Sequence, residues 1–228
     1  MPDSKPKPFD PSSEAVPAAV VGRMSFYLRE VQGLMRNNQA TTSSNELGKL
    51  LGFSDAQVRK DLAYFGHFGY PGVGYRCEEL VNAIRRILGT DKGWNVALIG
   101  IGNLGRALLG YKGFPQQGFR IVAAFDIDPK VIGSEIDGVH VYPLDALPEI
   151  AKQNKIRLGM LAVPATAAQS IAEQVAAAGI EGILNFAPLT LNLPANVGQV
   201  GVDLAIQLEQ LSFSVLNPKP KVGDRTDE

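Results

Sequence analysis

The chain has 228 residues, enough for one or two domains with a proper core, and its 45% hydrophobic and 20% charged residues fit an ordinary globular protein. Lys and Arg number 22 against 23 Asp and Glu, a balance that leaves a nucleic-acid partner open, because one face can be basic while the whole is neutral. A single cysteine, Cys77, excludes an intrachain disulfide and fits a reducing cytosol, and no run of about 18 apolar residues offers a membrane span.

The first 17 residues hold five prolines and no apolar signal core, so they read as a disordered tail, as do residues 218–228. A cytoplasmic protein is the expectation. Residues 18–89 carry helical signals. Val20, Met24, Tyr27, Leu28, Val31, Leu34 and Met35 recur at three- and four-residue spacing, an apolar stripe on one long helix. Ser43 and Glu46 form a capping box opening a short helix through Leu51, which Gly52 closes. Ser54 and Gln57 form a second box opening a helix through about Tyr64, and the pair outlines a helix-turn-helix. GHFGYPGVGYR then reads as strand–turn–strand, a small wing, and CEELVNAIRRILG as an amphipathic helix.

On the second short helix Val58, Leu62 and Phe65 face inward, while Gln57, Arg59, Lys60 and Tyr64 point outward, with Ser54 at its start. Arg and Gln suit major-groove base edges, and Lys suits phosphate. From Ala18 to Gly89 nine Lys and Arg stand against six Asp and Glu, an excess of 9 − 6 = 3. A pair of exposed charges is by itself only a solvated face; the two capping boxes and the wing make DNA the expected partner.

From Trp94 onward strands alternate with helices: WNVALIG, RIVAAFDID, VHVY, RLGMLAVP and GILNF are apolar runs, and QVGVDL adds a final strand. Such alternation predicts a parallel sheet covered on both faces, α/β in class, over residues 90–202. A closing helix over 203–217 is apolar at Ile206, Leu208, Leu211, Phe213, Val215 and Leu216. Gly100, Gly102 and Gly105 have the dinucleotide spacing, after a strand and before a helix, so Gly100, Ile101, Gly102, Asn103, Leu104 and Gly105 form a pyrophosphate loop. Asp126 follows 21 positions after Gly105, near the roughly 20 expected for the acid on a ribose 2′-hydroxyl, which favours NAD+ and NADH over their 2′-phosphorylated forms. Asp128 is the competing acid.

A dehydrogenase needs a group to move the proton that accompanies hydride, often a histidine. His67 lies in the wing and His140 opens a short strand, neither at the C-terminal end of a main strand where substrate sits. Cys77 has no neighbouring histidine and reads as a small half-buried thiol. No catalytic residue and no metal site is expected. A small NAD-dependent oxidoreductase with a helical appendage stays as the alternative, and a CoA- or nucleotide-binding structural subunit as a third reading.

QVRKDLAYFG, GVGY, GIGNLG, ILNFAP and VDL…LSFSVLNP, in this order over about Pro17 to Pro218, resemble the redox-sensing transcriptional repressors called Rex. The resemblance implies an N-terminal winged helix, a Rossmann domain for NADH or NAD+, and a homodimer on an inverted-repeat operator that exchanges its last helix. It implies operator binding with NAD+ or without cofactor, and release by NADH. Arg59 and Lys60 match the basic pair on the recognition helix. Asp126 matches the adenosine-ribose acid, Tyr111 a tyrosine near the nicotinamide, and Phe186, in ILNFAP, joins the cofactor set. Asp203 matches an aspartate opening the exchanged helix, and Arg29 an arginine on the first helix that pairs with it across subunits. Two positions depart: Leu204 stands where some members have phenylalanine, and Pro71 where others place a basic wing residue, so one minor-groove contact is expected to be missing.

Overall fold

The computed structural model describes residues 16–66 and 68–217, so His67 and the expected tails, save Val16 and Pro17, lie outside the described residues. The chain divides after Gly93 into two compact units.

In the first unit, α1 (Ala18–Arg36) buries Val20, Met24, Tyr27, Leu28 and Val31. They pack with Leu47 of α2 (Ser44–Leu51), Val58 and Leu62 of α3 (Asp55–Ala63), and Leu80 and Ile84 of α4 (Cys77–Leu88). The two serines cap as their spacing predicts: Ser43 Oγ accepts from Glu46 N and Ser54 Oγ from Gln57 N, each at 3.1 Å. Each cap satisfies one of the N–H groups a helix start leaves without an intrahelical partner. The wing, β2 (Gly69–Tyr70) and β3 (Gly74–Arg76), gains a third strand, β1 (Thr41–Thr42), in the order β1-β3-β2. Two residues are too few for a period-two pattern, so β1 left no sign in the sequence. Cys77 is fully buried rather than half-buried, and burial, with Glu46 nearby, pushes its thiol up.

The second unit is a seven-stranded sheet in the order β10-β9-β8-β4-β5-β7-β6. Its strands are β4 (Trp94–Ile99), β5 (Phe119–Asp126), β6 (Glu135–Ile136), β7 (Val139–Pro143), β8 (Leu158–Leu161), β9 (Gly182–Asn185) and β10 (Gly198–Gly201), all parallel except β6, which returns against β7. On one face α7 (Leu147–Gln153) and α8 (Ala165–Ala177) pack Leu147, Ala168, Ala172 and Val175 against Ala97, Ile99, Ala123 and Phe125. On the other, α5 (Asn103–Leu109) and α6 (Gly113–Gln116) supply Leu109 and Phe114 against Val96, Leu98 and Ala124.

Helices thus stand on both faces as expected, but the second face is covered only in part. An apolar groove of about 730 Å³ runs over β8, β9 and β10, lined by Val96, Phe114, Phe119, Leu158, Met160 and Leu184 among others. The connection from β5 to β7 is the short strand β6, and the segment from β9 to β10 sends Ala187, Leu191 and Val197 to the opposite face, so neither returns a helix here. The last element, α9 (Leu204–Leu216), has no buried residue: Leu208 is 66% exposed and Phe213 67%.

Candidate nucleotide site and DNA-reading surface

At the C-terminal edge of β4 the chain turns through Gly100 and Gly102 into α5. Gly100 has φ of 94°, and a Cβ there would meet the Ala162 carbonyl, just past the end of β8. A Cβ on Gly105 would meet the Gly100 carbonyl, so this glycine lets helix and turn touch. Gly102 faces open space and caps α5 without a side chain, which leaves the first N–H groups of the helix for an anion. Ile101 is buried, while Asn103 and Leu104 are exposed.

Asp126 closes β5 beside this turn. Its Oδ2 accepts from Ile101 N at 2.6 Å, and its Oδ1 from Ile127 N and Asp128 N at 2.7 and 2.9 Å. The carboxylate is therefore held against the glycine loop, where a ribose bound along that loop would lie. Asp128 accepts from Lys130 N at 2.9 Å, serving its own turn. The geometry favours Asp126.

Tyr111 is 57% exposed, its ring folded over Gly113 and edge-on to Phe114 at 4.8 Å. Gly113 is needed for that fold, since a Cβ there would meet the tyrosine ring. Phe186 follows β9 at the same end of the sheet, half-buried, its N–H donating to the Leu161 carbonyl at 2.9 Å. Sequence reading passed over Asn185, which shapes this loop. It is buried, donates to the Ala187 and Leu189 carbonyls at 3.1 and 2.9 Å, and accepts from Ala187 N at 2.9 Å. The signal was present: a carboxamide ending an apolar strand just before a proline loop.

Asp203 caps α9, with Oδ1 accepting from Ala205 N at 2.9 Å and Ile206 N at 3.4 Å. Arg29 lies on the solvent side of α1, Nε 3.5 Å from Glu30 and its guanidinium 5.5 Å from the Phe26 ring centre. The two stand on different units. His140 is exposed, with its ring edge-on to Tyr142 at 4.5 Å.

In the first unit, Lys60 and Tyr64 are exposed, and Arg59 donates to Asp55 at 2.7 Å and Ser44 at 3.2 Å. An exposed pair of this kind is screened by solvent and holds only weakly, so Arg59 can exchange it for a stronger acceptor. Ser54 Oγ is committed to its capping bond. Gln57 departs from the outward direction expected of it. It is half-buried, with Nε2 donating to Asp61 Oδ1 at 2.7 Å. The cause is Asp61, fully buried on the apolar face of α3, which accepts from Arg23 and Tyr27 as well as Gln57. Burial pushes its carboxyl up, but hydrogen bonds from Arg23, Tyr27 and Gln57 outweigh that and hold it below the ordinary range. The sequence shows an acid in phase with Val58, Leu62 and Phe65, an anomaly the outward-face reading passed over. Among the described residues no cluster of His, Cys, Asp and Glu is set to hold a metal, and no helix is long and apolar enough to cross a membrane.

Residues 15–63 match the family described as putative DNA-binding protein N-terminus, and residues 91–189 the CoA binding domain family. Curated relatives are redox-sensing transcriptional repressors named Rex. That of Desulfitobacterium hafniense is 48% identical, covering 88% of this chain and 95% of the relative. That of Streptomyces coelicolor is 43% identical, covering 88% and 78%. The crystal structure of RSP, a Rex-family repressor, in complex with β-NAD+ and operator DNA superposes with a TM-score of 0.83 at 37% identity, over 89% of this chain and 94% of that one. RSP with β-NADH gives 0.81 at 36%, over 89% and 95%. With the two capped helices, the wing, the glycine loop and Asp126 in this order, and relatives 43–48% identical over 88% of the chain, the chain belongs to the Rex family of redox-sensing transcriptional repressors.

Proposed function

We propose that this protein is a repressor that reads the NADH/NAD+ ratio, binding operator DNA with NAD+ or without cofactor and leaving it when NADH binds. The observation that carries the reading is the conjunction, in one chain, of a carboxylate locked onto a dinucleotide loop and a capped reading helix with Arg59 and Lys60 exposed. The cytoplasm, where operator and cofactor pool meet, is its place of work.

Gly100, Gly102 and Gly105 hold the pyrophosphate against backbone N–H groups, and Asp126 accepts from the adenosine ribose. Tyr111 and Phe186 border the nicotinamide. That ring carries a positive charge when oxidised and none when reduced. Asp203 and Tyr111 respond by changing partner: with the ring charged they face it, and with the charge gone Asp203 takes Arg29 of a second subunit. Coupling of about 1–3 kcal/mol gives a 5- to 150-fold change in operator affinity.

The assembly is a homodimer in which each α9 packs on the other copy. Support comes from the bare α9 and from the open apolar groove of the sheet. Two reading helices then meet an inverted repeat with half-sites about one helical turn, or a small multiple, apart. At the wing, Pro71 offers no cation, and Arg76 lies over Tyr70 at 4.7 Å while donating to Glu79, so minor-groove contact rests on shape.

A mobility shift on upstream DNA of candidate operons tests the reading: NAD+ should leave the complex intact and NADH should dissolve it. Turnover of NADH with a panel of carbonyl substrates, without cofactor-dependent DNA binding, would instead establish an oxidoreductase.

A further inference from the structure

The buried charge of the first unit sits on the recognition helix itself. Four donors converge on the Asp61 carboxylate: Arg23 Nε at 2.5 Å and Nη2 at 2.9 Å, Tyr27 Oη at 2.8 Å, and Gln57 Nε2 at 2.7 Å. Burying an ion pair is costly, and a well-packed apolar side chain often serves stability as well. An acid here, among Val58, Leu62 and Phe65, therefore asks for a role beyond packing.

Its chemistry supplies one. A carboxylate only accepts, whereas the glutamine amide has one accepting and one donating side. Facing Asp61, Gln57 must turn its donating side inward, whichever way the amide is first drawn. One N–H is spent on Asp61; the other N–H and Oε1 remain. Gln57 lies in the first turn of α3, the part of a recognition helix that meets base edges. One acceptor beside one donor complements adenine, which offers an N6 donor and an N7 acceptor, and opposes guanine, which offers two acceptors.

We propose that Asp61 is a positioning residue for operator reading. Its carboxylate fixes the Gln57 amide in the orientation that reads adenine, and through Arg23 and Tyr27 it pins the reading helix to α1. This rests on α3 being the helix that enters the major groove.

The test measures operator affinity of the full-length wild type, Gln57→Ala and Asp61→Asn on half-sites in which every base pair is changed in turn, with denaturant unfolding of the first unit as the control for folding. Gln57→Ala should lose its preference at one A·T pair. Asp61→Asn, which frees the amide to flip, should lose about tenfold in adenine-over-guanine preference at that same pair and keep the others. Asp61→Asn that discriminates like wild type there, or that weakens all operators equally, overturns the proposal, as does Gln57→Ala that changes no base preference. Should Asp61→Asn fail to fold, NMR of wild-type protein decides: one Gln57 side-chain N–H shifted and protected from exchange supports the orientation, and both exchanging like those of an exposed glutamine refutes it. Wild-type protein with no operator preference at all sinks the repressor reading itself, and the proposal with it.

Discussion

Helices α1 and α9 carry comparable apolar side chains, and only α1 buries them. Val20, Met24, Tyr27, Leu28 and Val31 of α1 close against three other helices of the same unit, whereas every residue of α9 faces solvent. An apolar stripe states that a face must be covered; it does not say by what. For α1 the cover comes from the chain that made it. For α9 no described residue of its own chain supplies the cover, and the large hydrophobic residues it exposes form the kind of surface that marks an interaction site, which the proposed homodimer would fill with another copy.

The sharpest way to break this contrast is to charge α9. Leu208→Asp with Leu211→Asp should convert the proposed dimer to monomer in sedimentation analysis and lower operator affinity more than about 100-fold, because each large apolar side chain fully buried is worth roughly 1.5–3 kcal/mol and paired half-sites bind together. The melting temperature of the isolated subunit should hardly move. Unaltered dimers would show that α9 is bare for some other reason.

The mirror experiment is Met24→Ala in α1. It should cost about 2–5 kcal/mol of first-unit stability by denaturant unfolding, with cofactor binding untouched, since the side chain has no exposure and its loss opens a cavity.

Asp203 adds a smaller effect of two kinds. Asp203→Ala should remove the α9 cap, at about 0.5–2 kcal/mol in helix stability, and blunt release by NADH. Asp203→Asn keeps capping capacity, so loss of NADH response in both variants separates the charge from the cap. A response retained in both would end the proposed competition.

The α1–α3 contact also predicts a pH dependence. The Asp61 carboxyl is held below its ordinary value, so its contribution to stability is complete above the unfolded value of about 4 and disappears as pH falls through the lower folded value. Wild-type thermal melts should therefore fall below about pH 4, and Asp61→Asn should flatten that slope. An unchanged slope would place the acid lability elsewhere. Least of all, Cys77 should react with alkylating reagents far more slowly in folded than in unfolded protein, as a buried thiol pushed up in pKa must.

Much of this is legible in the amino-acid sequence. Ser43 and Ser54 announced their helices because a cap is a local contact three residues long. The glycine loop and Asp126 point to a nucleotide in the sequence alone, because strand, turn and acid lie at short, stereotyped distances along the chain. Gln57 was misdirected because its true partner, Asp61, lies on the face the pattern assigns to apolar residues, and the donors that make this tolerable come from 34 and 38 residues away on α1. The resemblance to Rex repressors, carried by five motifs in order, reached further than any single period of hydrophobicity.

What the amino-acid order determined alone was everything set by near neighbours: the periods, the caps, the tight turn and the acid that follows it. Tertiary structure decided the rest. It left part of one sheet face open, drew Asp61 under four donors, folded Tyr111 over Gly113, and left α9 unburied among the described residues. The physical reason is that burial is a property of which distant surfaces meet, and hydrophobic pattern encodes the demand for such a meeting without naming the surface that answers it.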